Sequence, residues 1–131
     1  METTLQMLKT HPSPSQIDLE HLARAITELQ ICAQACTTCA DACLGEKEVQ
    51  SLIDCIRINL DCADICTATG AMLSRVNSAS TEYFQIIVEA CVKICRLCAT
   101  ECEKHGSKHE HCRICAEACS RCENACREIL S

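Results

Sequence analysis

Large core-filling side chains are almost missing from this chain. Among 131 residues there is one Tyr (Tyr83), one Phe (Phe84) and no Trp. Aromatic residues normally dominate core energetics, so something else must occupy the centre. Glycine and proline are also scarce, at three and two residues, which excludes a loop-rich sandwich, a collagen and a flexible linker protein. There is no basic excess: 12 Lys and Arg against 18 Asp and Glu leave a net charge of −6. Nucleic acid and anionic membrane surfaces need a basic footprint, so neither is an expected partner. Long apolar runs are absent. The longest stretch without a charged residue, Leu29 to Ala40, contains Gln and Thr and is too short and polar to span a membrane. Met1 to His11 show no basic segment followed by an apolar run, so no signal peptide is expected. The expected location is therefore the cytoplasm, where thiols stay reduced.

Cysteine is the abundant residue, with sixteen. The few breakers organise the chain around them. Pro12 and Pro14 close a short amphipathic segment, Thr3 to Thr10, so residues 1–14 read as an N-terminal segment and 15–131 as one domain. Ser15 is the expected cap of a first long helix that runs to Leu44, with Gly45 past its end. A second helix is predicted from Lys47 to Arg75, with a turn over Val76 to Ser80. Ser80 then caps a third from Thr81 to Lys104, and a fourth follows the His105–Gly106–Ser107 turn, from Glu110 to Ile129. Short connections between long helices make neighbours antiparallel, so the fold class is an all-α, up-down-up-down four-helix bundle.

The cysteines fall on these helices in register. They are Cys32, Cys36, Cys39 and Cys43 on the first; Cys55, Cys62 and Cys66 on the second; Cys91, Cys95, Cys98 and Cys102 on the third; and Cys112, Cys115, Cys119, Cys122 and Cys126 on the fourth. Every step is 3, 4 or 7 residues, so each set lies in one stripe less than about 90° wide. These are seam positions, where Leu and Ile ordinarily sit. One position breaks the series: between Cys55 and Cys62 the seam carries Asn59. At one end the stripes continue into Leu22, Ala25, Leu29, Thr69, Leu73, Val76, Phe84, Val88 and Ile129, an apolar plug expected to hold both aromatics. At the other end lie His105, His109 and His111.

Sixteen seam cysteines are too many to serve only as small hydrophobes. Cysteines three or four apart on one helix bridge poorly, and a reducing location disfavours a disulfide framework. Metal remains. A Zn²⁺ site with four thiolates carries a net charge of −2, and a row of such sites buries anions with no basic residue facing them. Iron–sulfur clusters use compact Cys motifs, whereas these rows are straight and about 16 Å long from Cys32 to Cys43. Cu(I) is soft, monovalent and selected by thiolates, and one Cu⁺ per S⁻ leaves a neutral core. The expected cargo is therefore many Cu(I) ions per chain. A zinc or mixed-metal thiolate buffer and an iron–sulfur or thiol-redox protein are the alternatives. Nothing singles out a nucleophile with a base partner, so no catalytic residue and no enzyme activity is expected.

The repeated C-x₃-C rows on four helices and the His-bearing third turn resemble the cytosolic copper storage proteins, four-helix bundles once described only as cysteine-rich domains. The resemblance covers Ser15 to Ser131; the exported branch of that family carries a signal peptide not seen in this sequence. It implies a homotetramer, Cu(I) held inside each protomer's own bundle, metal admission at the His end, and a minor ligand role for a core Asn, here Asn59. All sixteen cysteines form the expected ligand set. His105, on the seam, is the expected first ligand at the mouth. His109 either reaches the same mouth or lies on the surface, His111 is expected to point outward, and His11 and His21 are read as surface residues. Asn59 is read equally as a satisfied polar core residue or a weak oxygen ligand, and Met72 as packing. On the second helix Val49, Ile53, Ile56, Leu60 and Ala63 form another apolar strip away from the cysteines, which a lone bundle would expose; such strips mark interfaces.

Overall fold

The computed structural model describes residues 1–77 and 80–130. Among them are five α-helices, α1 (Glu2–Lys9), α2 (Leu19–Leu44), α3 (Ile53–Leu73), α4 (Thr81–Glu103) and α5 (Glu110–Leu130), plus a 3₁₀ turn at Val49–Leu52. Helix α2 packs on α3 and α5, and α4 packs on α3 and α5, while the diagonal pairs stay apart. This is the expected four-helix bundle, with α1 laid against α2. The space between the diagonals is filled by side chains from all four long helices.

Two helix starts differ from the sequence expectation and a third keeps its place without the expected cap bond, each for a local reason. Helix α2 is capped by Asp18, not Ser15: the Asp18 carboxylate accepts from the backbone N–H groups of Glu20 and His21, both at 3.0 Å. A carboxylate is also favoured by the helix dipole there. Ser15 instead accepts from the Ile17 N–H at 3.1 Å, making a turn before the helix. The second expected helix is split, because Val49–Leu52 wind as a tighter 3₁₀ turn that sends Leu52 into the core, and α3 begins after it. At Ser80 no side-chain cap bond forms. Its hydroxyl donates to the Asn77 carbonyl and accepts from the Asn77 N–H. Ser78 and Ala79, in the expected turn, lie outside the described residues.

The plug is built largely as the stripes predict. Leu22, Ala25, Leu29, Leu73 and Val88 are fully buried, with Val76, Phe84 and Ile129 nearly so. Thr69 is buried too, its hydroxyl satisfied by donation to the Ile65 carbonyl at 2.7 Å. The exception is Tyr83, expected in the plug but 56% exposed. Adjacent residues on a helix point about 100° apart, so Phe84 and Tyr83 cannot both face the core. Of the second apolar strip, Val49 in the 3₁₀ turn is half-buried, and on α3 Ala63 is buried, Ile56 half-buried, and Ile53 and Leu60 exposed. None of the described helices is long and apolar enough to cross a membrane.

Candidate metal centre

All sixteen cysteines are buried free thiols. They form one connected network rather than four rows. Near the plug, Cys66 lies 3.9 Å from Cys91 and 3.6 Å from Cys95, and Cys62 lies 3.9 Å from Cys66. At mid-bundle, Cys32 and Cys36 both approach Cys119, at 3.7 and 3.6 Å. Cys36 also meets Cys98 across the diagonal at 3.9 Å and Cys115 at 3.7 Å. Toward the mouth, Cys55 pairs with Cys102 at 3.6 Å, and Cys112 lies 3.9 Å from both Cys39 and Cys43. A metal–sulfur bond of about 2.3 Å, as in zinc thiolates, sets sulfurs about 3.8–4.0 Å apart at tetrahedral or trigonal angles. The thiol spacing is therefore already close to that of a filled thiolate core.

Groups of sulfurs that converge within 4.8 Å include Cys32, Cys66, Cys95 and Cys122; Cys32, Cys36, Cys62 and Cys119; Cys36, Cys98, Cys115 and Cys119; and Cys39, Cys55 and Cys102. These groups share members: Cys32, Cys36 and Cys119 each belong to two of them. Isolated tetrahedral ions cannot fill them all, whereas ions bridged by shared thiolates can.

Electrostatics points the same way. The buried polar residues among those described are Asn59, Thr69, Ser80 and His109, so no Lys or Arg faces the sulfurs. Burial, and then the charge of a neighbouring sulfur, push the Cys43 and Cys112 thiols up from their ordinary pKa. In contrast, hydrogen bonding to Cys102, and then to Cys39, pulls Cys55 down to about 3, with the charge of His105 assisting. Hydrogen bonds between sulfurs also pull Cys32, Cys62, Cys91 and Cys115 down, against a burial that pushes each of them up.

Asn59 is fully buried among these groups. Its Oδ1 accepts from the thiols of Cys98 at 3.2 Å, Cys102 at 3.4 Å and Cys115 at 3.4 Å, and its Nδ2 donates to Cys55 at 3.6 Å. The amide is thus satisfied entirely by sulfur, which fits a polar core residue and leaves an oxygen aimed at three candidate ligands.

At the mouth the histidines divide. The His105 Nε2 lies 3.1 Å from Glu101, one turn back on α4. His109 is 9% exposed, with its Nδ1 3.0 Å from the Glu46 carboxylate. His111 does not point outward. Its Nδ1 lies 3.4 Å from the Cys39 sulfur and 3.6 Å from that of Cys112, and it converges with Cys39, Cys43 and Cys112 in one four-residue group. The second residue of α5 turns inward because its Nε2 is held from outside by Glu46 at 2.8 Å. Glu46 is not among the expected site residues, yet it falls three residues past Cys43, as His105 falls three past Cys102, so the first stripe extended beyond the end of α2 is the signal that reaches it. His21 and His11 lie on the surface as expected, with His21 paired to Glu128. Met72 is half-buried near the plug.

The sequence profile of the copper storage protein family matches residues 18–131. The copper storage protein Ccsp of Streptomyces lividans, solved with 10 copper equivalents, superposes with a TM-score of 0.93 at 48% identity over 97% of each chain. A second structure, of a cytosolic copper storage protein from Streptomyces lividans with five coppers, gives a TM-score of 0.83 at 52% identity, over 85% of this chain and 92% of that one. The Cu(I)-bound copper storage protein BsCsp3 of Bacillus subtilis gives 0.74 at 33% identity, over 85% of this chain and 99% of that one. A buried network of sixteen free thiols, a profile match across the whole bundle and a copper-loaded relative of the same shape agree: this chain belongs to the copper storage protein family.

Proposed function

We propose that the protein stores Cu(I) in the cytosol, holding many ions per chain on the thiolates that line its bundle. The observation that carries this reading is the continuous network of sixteen buried free thiols, with overlapping convergent groups and no buried Lys or Arg among the described residues. Each arriving Cu⁺ displaces one S–H proton. The exchange is neutral, so the core fills without accumulating charge. Sulfurs 3.6–3.9 Å apart let an ion pass to the next ligand before leaving the last.

Ions are taken in at the mouth by Cys39, Cys43, Cys112 and the Nδ1 of His111, with His105 and His109 flanking, and move inward past Asn59. Its amide oxygen is a weak additional ligand. No step in this cycle makes or breaks a covalent bond of a substrate, and the protein works as a sink, not a catalyst. Exposed Ile53 and Leu60 on α3 support self-association, and the family resemblance makes the assembly a homotetramer. Anaerobic titration of the reduced apo-protein with Cu(I) tests the reading. Saturation is expected on the order of one copper per thiol; saturation at a handful of ions contradicts storage.

A further inference from the structure

Glu46, three residues past Cys43 and just beyond the end of α2, holds both inner histidines of the mouth. One carboxylate oxygen, Oε2, lies 2.8 Å from the His111 Nε2 and 3.0 Å from the His109 Nδ1. The two imidazoles are stacked, with centroids 5.6 Å apart. A carboxylate has no proton to give, so each of those nitrogens must be the N–H. A neutral imidazole carries one N–H, so the other nitrogen of His111, Nδ1, keeps its lone pair. That nitrogen is the one 3.4 Å from the Cys39 sulfur. A tautomer fixed by an outer carboxylate is the usual way a protein readies a histidine for a metal.

We propose that Glu46 is a positioning residue for copper capture: it locks His111 in the Nε2–H tautomer, with the Nδ1 lone pair turned to Cys39 and Cys112, and braces that ring against His109. This rests on the reading of the mouth as the site of uptake. Glu46 sits in the turn after α2, with its backbone N–H donating to the Cys43 carbonyl at 3.2 Å, so it ties the end of a ligand-bearing helix to the start of α5. His111 thereby meets cysteines from both α2 and α5 before any metal arrives.

The test uses the reduced full-length apo-protein and Cu(I) delivered as its acetonitrile complex under anaerobic conditions. Two-bond ¹H–¹⁵N correlations report the His111 tautomer, and stopped flow reports the uptake rate. Glu46→Ala should release His111 into a tautomer mixture and slow capture about tenfold, with final loading unchanged. Glu46→Gln keeps one acceptor oxygen and should recover part of the rate. Glu48→Ala removes the same charge from the same depression and should change neither reading, which separates positioning from simple attraction of a cation. An unaltered His111 tautomer in Glu46→Ala overturns the proposal, as does a Glu48→Ala variant as slow as Glu46→Ala. If His111→Ala takes up copper at the native rate, the reading of the mouth fails instead, and the tautomer measurement alone decides the positioning role.

Discussion

The two ends of the bundle are closed by opposite chemistries. At one end Leu22, Leu29, Leu73 and Val88 pack with almost no polar atom between them. At the other, two histidines and a glutamate form hydrogen bonds over the last thiols, and Glu46, His105 and His111 remain half-exposed. Fully burying a Leu-sized side chain contributes about 1.5–3 kcal/mol, and a Cys offers far less apolar area. The apolar burial that stabilises the apo-protein is concentrated at the plug. On the proposed function, the thiols are held in place by the plug and supplied through the mouth.

Breaking the plug should have the largest effect on stability. Leu29 is fully buried, and Leu29→Ala should destabilise the apo-protein by about 2–5 kcal/mol in chemical denaturation. Copper capacity, counted at saturation under native conditions, should stay the same. A large loss of capacity without loss of stability would erase the division between the two ends.

Breaking the mouth should do the reverse. His111→Ala should slow uptake about tenfold and leave the denaturation midpoint nearly unmoved. His105→Ala should slow uptake less, because His105 already engages Glu101 rather than a thiol. Equal rates in both variants and the native protein would remove the histidines from the capture step.

Between the ends, Asn59→Cys completes the interrupted row. It should raise capacity by about one copper. The thiols of Cys98, Cys102 and Cys115 lose their shared acceptor, so apo-stability should fall by about 1 kcal/mol. An unchanged copper count would show that the position does not reach the metal core.

The smallest effect concerns acid. The Glu46 carboxyl is held below its ordinary value of 4.5 by hydrogen bonding to His111 and then by the charges of His109 and His111. A depressed folded-state value means that its contribution is complete above the unfolded value and is lost as pH falls through the lower, folded one. Apo-stability measured below about pH 4.5 should therefore fall more steeply in the native protein than in Glu46→Gln.

The plug and the mouth also differ in how far the sequence reveals them. The helices, the thiol seam and most of the plug follow from spacing alone, because a period of 3.6 fixes which residues share a face. Tyr83 was misplaced only where that period was relaxed for one residue. The mouth is another matter. His111 is expected outside because it sits one residue before the seam cysteine Cys112, and Glu46, though three residues past Cys43, lies beyond the end of α2, where the helical period no longer fixes direction. Both are placed by a turn meeting a helix start some sixty residues later, a tertiary contact that no local pattern encodes. The cap of α2 shows the same limit at smaller scale: Ser15 and Asp18 are both good caps, and the one whose carboxylate meets two N–H groups takes the role.

The central claim is that the core fills by exchanging Cu⁺ for H⁺ on buried thiols, with no change in its charge. Counting protons released alongside copper bound, in a weakly buffered anaerobic titration of the reduced protein, tests it most directly. Summed to saturation, about one proton should leave per copper, with copper on the order of the thiol count. Two or more protons per copper, with saturation at half the thiols or fewer, would mean an anionic core of separate sites and would contradict the account.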